Sequence, residues 1–260
     1  MSSFAEMQKK CYISSLGVSF KQRTKAGDGR RTVMDSPVMI CTAIAVASYI
    51  FGSVPWAYII GKMNGIDIRQ HGSGNVGATN VMRVLGRRWG YSCFLLDFLK
   101  GFIPLAAVKI LIGMRIVSVP LEAALITAAV AVVAGHIWTI FLKFKGGKGM
   151  ATGGGVLVAV APYSFICCGL AWIIFFHATR YVSVASIIAA ALLPVSSLVF
   201  SMTGIWRTNA SIQIFLLVLA VLAIAKHHSN IRRLINGTEH KFEKKKVGHE
   251  THEVHEKEQV

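Results

Sequence analysis

The chain reads as long apolar runs separated by short polar stretches, and the runs have the length of bilayer-spanning helices rather than of soluble core helices. The first extends from Pro37 to Gly61 and is interrupted by Gly52-Ser53-Val54-Pro55. A proline removes a helical donor and restricts the residue before it, so a kink is expected in the second half of that run. Further runs extend from Cys93 to Gly113, from Val117 to Leu142 and from Ala151 to Ala178, then near 182–203 and 209–226.

Parity decides how these runs cross. The stretch 62–92 sets Lys62, Arg69, Arg83, Arg87 and Arg88 against Asp67, and the tail after residue 227 is also basic, so both belong on the positive inner side. Six crossings would put them on opposite sides. Pro162 resolves the conflict by dividing the fourth run into helices of about 148–161 and 164–179, each on the order of 20–24 Å long. Seven crossings then leave the N-terminus outside, with 62–92, 143–149, 177–182 and 227 onward inside, and a re-entrant helix at the short stretch 148–161 would satisfy the charge rule almost as well. Between the spans, the outside keeps Arg115 and Arg207. The expected fold is all-α, a polytopic integral membrane protein of about seven transmembrane helices.

Composition agrees with that class. Of 260 residues, 53% are hydrophobic and only 15% charged, which excludes an ordinary soluble domain. A net charge of +16 raises nucleic acid as a partner, but the charge falls between apolar runs and at the two ends, so anionic lipid is the expected long-range partner and nucleic acid is not. Residues 1–34 read as a disordered basic leader or a mis-assigned start, 35–242 as a single membrane domain and 243–260 as a disordered charged tail. The five cysteines have neither ligand nor disulfide spacing, and no carboxylate cluster accompanies the histidines, so no metal is expected.

The longest polar interruption is His71 to Gly90. Its glycines let backbone N–H groups converge, Ser73, Asn75, Thr79 and Asn80 add short polar side chains, and Arg83 adds a charged fork. That suits a phosphate, although a plain solvated loop has the same composition. Gly72-x-Gly74-x-x-Gly77 matches a dinucleotide fingerprint in letters only, since an apolar helix and not a strand precedes it. A second anion cradle is Lys145-Gly146-Gly147-Lys148-Gly149 at the start of a helix; Gly149 stands where a Walker A loop requires Ser or Thr. The third polar segment is His227 to Glu239, in which His227, Asn230 and Leu234 share a helical face and Arg233 is expected to reach toward the lipid surface. Asp97 and Lys100, three apart within a span, are either a structural ion pair or part of the chemistry. No serine stands in Gly-x-Ser-x-Gly, so the simple hydrolase template fails.

Taken together, Gly72 to Gly86, Gly135-His136 followed by Phe141 to Gly149, and His227 to Glu239 resemble the three signature motifs of the bacterial acyl-phosphate:glycerol-3-phosphate acyltransferases. The stretches Leu96 to Gly101 and Arg180 to Ser183 are similar to that family as well, and the likeness covers about residues 35–242. The resemblance implies transfer of a fatty acyl group from acyl phosphate to the 1-hydroxyl of sn-glycerol 3-phosphate in the bacterial inner membrane, with the active site at the cytoplasmic face and no cofactor. It implies Ser73 and Arg83 at the reacting centre, with Gly74, Asn75, Thr79 and Asn80 shaping the pocket. Lys145, Gly146, Gly147 and Lys148 are expected to hold a phosphate, His227 and Asn230 to orient the hydroxyl, and Glu239, Asp97 and His136 to give structural support. A transporter for a phosphorylated solute is the rival class, distinguished by a site near the bilayer midplane rather than at one face.

Overall fold

The computed structural model describes residues 36–242, and every regular element among them is helical. The expectations for the leader and the charged tail lie outside the described residues. The helices are α1 (Pro37–Ser53), α2 (Trp56–Met63), α3 (Ala78–Leu85), α4 (Arg87–Gly113), α5 (Leu121–Ile137), α6 (Met150–Val160), α7 (Pro162–Thr179), α8 (Val182–Met202), α9 (Ala210–Ala225) and α10 (His228–Ile235). The first apolar run breaks between Ser53 and Trp56, at the expected Val54-Pro55. The fourth run breaks at Ala161, with Pro162 as the first residue of α7.

Four helical stretches among the described residues are long and apolar enough to cross a bilayer: 37–63, 121–142, 162–179 and 182–202. The pair α9 and α10, bent by 49°, brings the number to five. The other two expected crossings are present as helices but differ in character. Helix α4 is 27 residues long and carries Asp97, Lys100 and Lys109 in its apolar part, whereas α6 has only 11 residues, about 16 Å.

A helix as short as α6 leaves its last carbonyls inside an apolar bundle, where unpaired groups are costly. Two side chains from other segments meet them. Lys109 Nζ donates to Ala159 O at 2.6 Å, and Trp206 Nε1 donates to Val160 O at 3.3 Å.

Close packing at small residues fixes the helix pairs. A Cβ added at Gly52 would strike the backbone of Val132, and one at Gly135 the backbone of Tyr49, so α1 and α5 touch main chain to main chain. Helices α4 and α6 do the same where Gly101 meets Thr152 and Gly155 meets Phe98. Around these contacts lies one apolar core containing Leu105, Ala128, Val132, Val156 and Leu216.

The connections gather at two ends. At one, Trp206 meets Val160 and lies 5.7 Å from the ring of Tyr163, and Asn209 bonds Glu122. At the other, Phe242 N donates to Arg180 O at 3.0 Å, Arg83 bonds His240 O at 3.2 Å, and Lys148 bonds Asn230. The segments named inside by charge are those that meet at this second end.

Candidate active site

The glycine-rich loop is shaped from within by one side chain. Asn80, 1% exposed, accepts from Ser73 N at 2.8 Å and donates to Ile68 O at 3.1 Å and His71 O at 3.0 Å. Gly72 and Gly74 have φ of 60° and 67°, values that favour glycine, and a Cβ at Gly72 would collide with Asn80. Asn80 therefore shapes the loop from behind. Ser73, Asn75 and Thr79 are half-buried, and the Ser73 hydroxyl makes no hydrogen bond to the described residues. The N–H groups of Ala78 and Thr79 open α3 with no backbone partner upstream, as the first donors of a helix do. Thr79 and Arg83 share a face of that helix at a spacing of four.

Arg83 projects onto the C-terminal strap. Its Nη2 donates to His240 O, and its guanidinium lies 5.1 Å over the ring of Phe242. Burial holds its pKa below the ordinary value, opposed by Glu239 and reinforced by Arg233.

The second segment departs from the expected backbone cradle. Gly146 N donates to Ile137 O at 3.0 Å and Gly147 N to His136 O at 3.2 Å, so those two N–H groups are already engaged. Neither glycine has positive φ. They are required by proximity: a Cβ at Gly146 would strike His136 O, and one at Gly147 would strike the His136 ring and approach Val76 O to 2.6 Å. The same contact brings the first polar segment against the second. Lys145 points into the exposed surface, while Lys148 turns inward.

Lys148 begins a continuous polar chain. Its ammonium donates to Asn230 Oδ1, Asn230 Nδ2 donates to Glu239 Oε1 at 2.7 Å, and Ser183 Oγ donates to the same oxygen at 2.9 Å. Arg233 Nε reaches Glu239 Oε2 at 2.7 Å. This corrects the expectation that Arg233 faces lipid: Gly237, with φ of 68°, turns the chain back so that Glu239 returns beneath α10. Burial would raise the Glu239 carboxyl, but its three donors outweigh that and hold it below the ordinary carboxylate range.

Burial lowers Lys148 to a pKa of about 8; Glu239 opposes the shift, while Arg233, Arg83 and Lys226 add to it. His227, 3% exposed, is lowered to about 4, first by burial and then by the charge of Lys148. Its Nδ1 lies 2.8 Å from Ala223 O, a carbonyl that can only accept, so Nδ1 carries the proton and Nε2 keeps a free lone pair.

Behind the second segment sits a buried polar cluster. Asp97 Oδ1 is 2.9 Å from Lys100 Nζ, both side chains 3% exposed, so the two residues form a buried ion pair. Lys100 Nζ also donates to Val54 O at 2.8 Å. His136 lies 3.7 Å from the same carboxylate and 3.1 Å from Thr152 Oγ1. Thr152 and Phe242 escaped the sequence reading. A threonine in an apolar run and a phenylalanine after the last motif carry no local signal of polar or cation contact.

The structure thus brings together Arg83, Lys148, His227, Asn230 and Glu239, lays the loop of Ser73 beside Gly147, and leaves Lys145 at the surface. Among the described residues no three His, Cys, Asp or Glu side chains approach as metal ligands do. The arrangement can bind an anion between cations and offer a neutral imidazole and amides to a hydroxyl beside it.

Comparison with known proteins gives the family and the fold. The family described as glycerol-3-phosphate acyltransferase matches residues 42–237. The glycerol-3-phosphate acyltransferase of Desulforudis audaxviator is 46% identical over 198 residues, covering 75% of this chain and 92% of the relative. Crystal structures of PlsY, an integral membrane glycerol 3-phosphate acyltransferase, superpose closely. The glycerol 3-phosphate form gives a TM-score of 0.68 at 38% identity, covering 78% of this chain and 96% of that one. The lysphosphatidic acid form gives 0.66 at 37%, with the same coverage.

Proposed function

The chain belongs to the glycerol-3-phosphate acyltransferase family, and from that premise we propose that it moves a fatty acyl group from acyl phosphate to the 1-hydroxyl of sn-glycerol 3-phosphate. The products are 1-acyl-sn-glycerol 3-phosphate and phosphate, the first step of phospholipid synthesis. The reaction takes place at the cytoplasmic face of a bacterial inner membrane.

The observation that carries this reading is the unbalanced charge around Lys148. Arg83, Arg233 and Lys226 all raise the positive potential there, and Glu239 is the carboxylate that opposes them. Burying like charges together is unfavourable unless an anion enters, and a phosphate dianion supplies the missing charge. An acyl phosphate and a glycerol phosphate each bring one.

In this reading Lys148 and Arg83 hold phosphate oxygens, and the N–H groups of Ala78 and Thr79 face the developing oxyanion. Lys145 adds long-range attraction from the surface. His227 Nε2 and Asn230 align the glycerol hydroxyl. The hydroxyl oxygen attacks the acyl carbon, the bond from that carbon to the phosphate oxygen breaks, and the hydroxyl proton leaves with the phosphate. Acyl phosphate is already activated, so positioning and charge neutralisation account for most of the catalysis.

A covalent scheme through Ser73 is the second reading, motivated by its unbonded hydroxyl. It requires a base beside Ser73, and the described residues place no hydrogen-bond acceptor on that oxygen. The test uses purified protein and palmitoyl phosphate, with and without glycerol 3-phosphate. Phosphate release that depends on glycerol 3-phosphate supports the assigned reaction, and release independent of it counts against it. Trapping a labelled acyl group on Ser73 from palmitoyl phosphate alone would replace the direct scheme with the covalent one.

A further inference from the structure

The buried cluster behind the second polar segment lies outside the reaction path, yet it meets that path at one point, Gly147. We propose that His136, oriented by Thr152 and Asp97, is a positioning residue that sets the place of Lys148 and thereby the binding of the glycerol 3-phosphate phosphate. The inference rests on the phosphate role given to Lys148 above.

Hydrogen-bond bookkeeping fixes the ring. The single hydroxyl hydrogen of Thr152 is committed to Asp97 O at 3.0 Å, so at 3.1 Å from His136 Nδ1 the threonine oxygen must accept. Nδ1 therefore carries the proton, and the carboxylate of Asp97, 3.7 Å away, favours that orientation of the N–H dipole. Lys100 holds Asp97 in turn and ties it to Val54 O, in the break between α1 and α2. The opposite edge of the ring, at Nε2, is left against Gly147 with no room for a Cβ between them.

His136 also holds the loop by its main chain, since its carbonyl accepts from Gly147 N. Ring and carbonyl together fix the residue immediately before Lys148. The ammonium of Lys148 is directed to Asn230, in a region where Arg233, Arg83 and Lys226 outnumber the Glu239 carboxylate. Without the ring, Gly147 loses its support on one side, and Lys148 gains conformations that relieve its repulsion from Arg83 and Arg233. A cation that must first be ordered binds phosphate more weakly.

A small cavity lies beside the ring. It admits about 10 Å³, the size of a single water, and is lined by Asp97, Lys100, His136, Gly146 and Gly147.

The test compares His136→Ala, His136→Asn and His136→Gln in the purified protein. Each variant is assayed for the KM of glycerol 3-phosphate, the KM of palmitoyl phosphate, kcat, and the rise in melting temperature on adding glycerol 3-phosphate. Asparagine presents its amide near the Nδ1 position and glutamine near Nε2. The expected result is a rise of roughly tenfold or more in the KM for glycerol 3-phosphate in the Ala and Gln variants, with kcat changed far less, as for lost uniform binding. The Asn variant keeps the donor to Thr152 but lacks the Nε2 edge that meets Gly147, so it should recover only part of the loss. The ligand-induced melting shift should fall in parallel.

Should His136→Ala fail to fold, Thr152→Val removes the acceptor with little change of shape and must give the same selective rise. Equal effects on both substrates, or a lower melting temperature with an unchanged KM for glycerol 3-phosphate, would overturn the positioning role. Wild-type protein that fails to couple phosphate release to glycerol 3-phosphate would instead overturn the assigned reaction, so the two failures are distinguishable.

Discussion

Lys148 and Asn230, 82 positions apart in sequence, are direct hydrogen-bond partners at the end of the bundle. Their contact joins the loop after α5 to the helix after α9, and through Asn230 Nδ2 it extends to Glu239 at 2.7 Å. The charged end of this chain faces three other cations. Replacing Lys148 by Met removes the charge and keeps the stem. A charge-assisted hydrogen bond contributes about 1.5–3 kcal/mol, so the KM for glycerol 3-phosphate should rise roughly tenfold or more. Steady-state kinetics with both substrates check this, and an equal rise for palmitoyl phosphate would move Lys148 to the other phosphate.

Glu239 receives donors on both oxygens, Ser183 and Asn230 on Oε1 and Arg233 on Oε2. Glu239→Gln cannot satisfy all three, because one of its two ends becomes a donor. With the amide nitrogen turned to Arg233, the guanidinium loses its acceptor and a buried charge pair is gone. The expected cost is roughly 2–3 kcal/mol of stability. Asn230 still meets an oxygen, so the KM for glycerol 3-phosphate should move less than in Lys148→Met. Thermal unfolding in detergent, read beside the kinetics, separates the two effects.

Much of this was legible in the chain, and the exceptions have physical causes. The division of the fourth apolar run at Pro162 was readable because proline favours the first turn of a helix and disfavours helix at the residue before it, and α6 and α7 begin and end within two residues of the expected bounds. Helix α4 starts at Arg87, six residues before the expected Cys93, because its first turns are polar and hydropathy is blind to them. Asn80 was expected to shape a pocket, but its place as the strut behind the loop could not be read, since that depends on carbonyls 9 and 12 positions upstream. Gly146 and Gly147 invite a phosphate-cradle reading because a glycine needed for close approach looks the same as one with a free N–H. Their partners, the carbonyls of Ile137 and His136, become visible only once α5 is in place.

The α4 and α6 contact gives a prediction about packing. A Cβ at Gly155 would overlap Phe98 O, and Phe98 lies one residue beyond Asp97. Gly155→Ala should force the helices apart and cost about 1–3 kcal/mol, a drop of several degrees in melting temperature for a domain of this size. Gly153→Ala, where an added Cβ meets nothing within 4 Å, should leave the melting temperature nearly unchanged. Both glycines are in the same helix, so the pair controls for helix propensity.

The last prediction couples two titrations. In the free enzyme Lys148 has a pKa lowered to about 8 and His227 one lowered to about 4. Phosphate binding needs the ammonium, which is lost as pH rises through the first value. Alignment of the hydroxyl needs neutral Nε2, which is lost as pH falls through the second. The profile of kcat/KM for glycerol 3-phosphate reports the free enzyme and the free substrate, so it should fall above about 8, decline as the substrate phosphate protonates at ~6, and fall again near about 4. Lys148→Arg keeps its charge throughout and should remove the alkaline fall. The charge of Lys148 is itself the second cause of the His227 shift, after burial. Lys148→Met should therefore move the acid limb upward, toward the ordinary histidine range, in the activity that remains. An acid limb that stays put in Lys148→Met would separate the two residues electrostatically and remove His227 from the phosphate site.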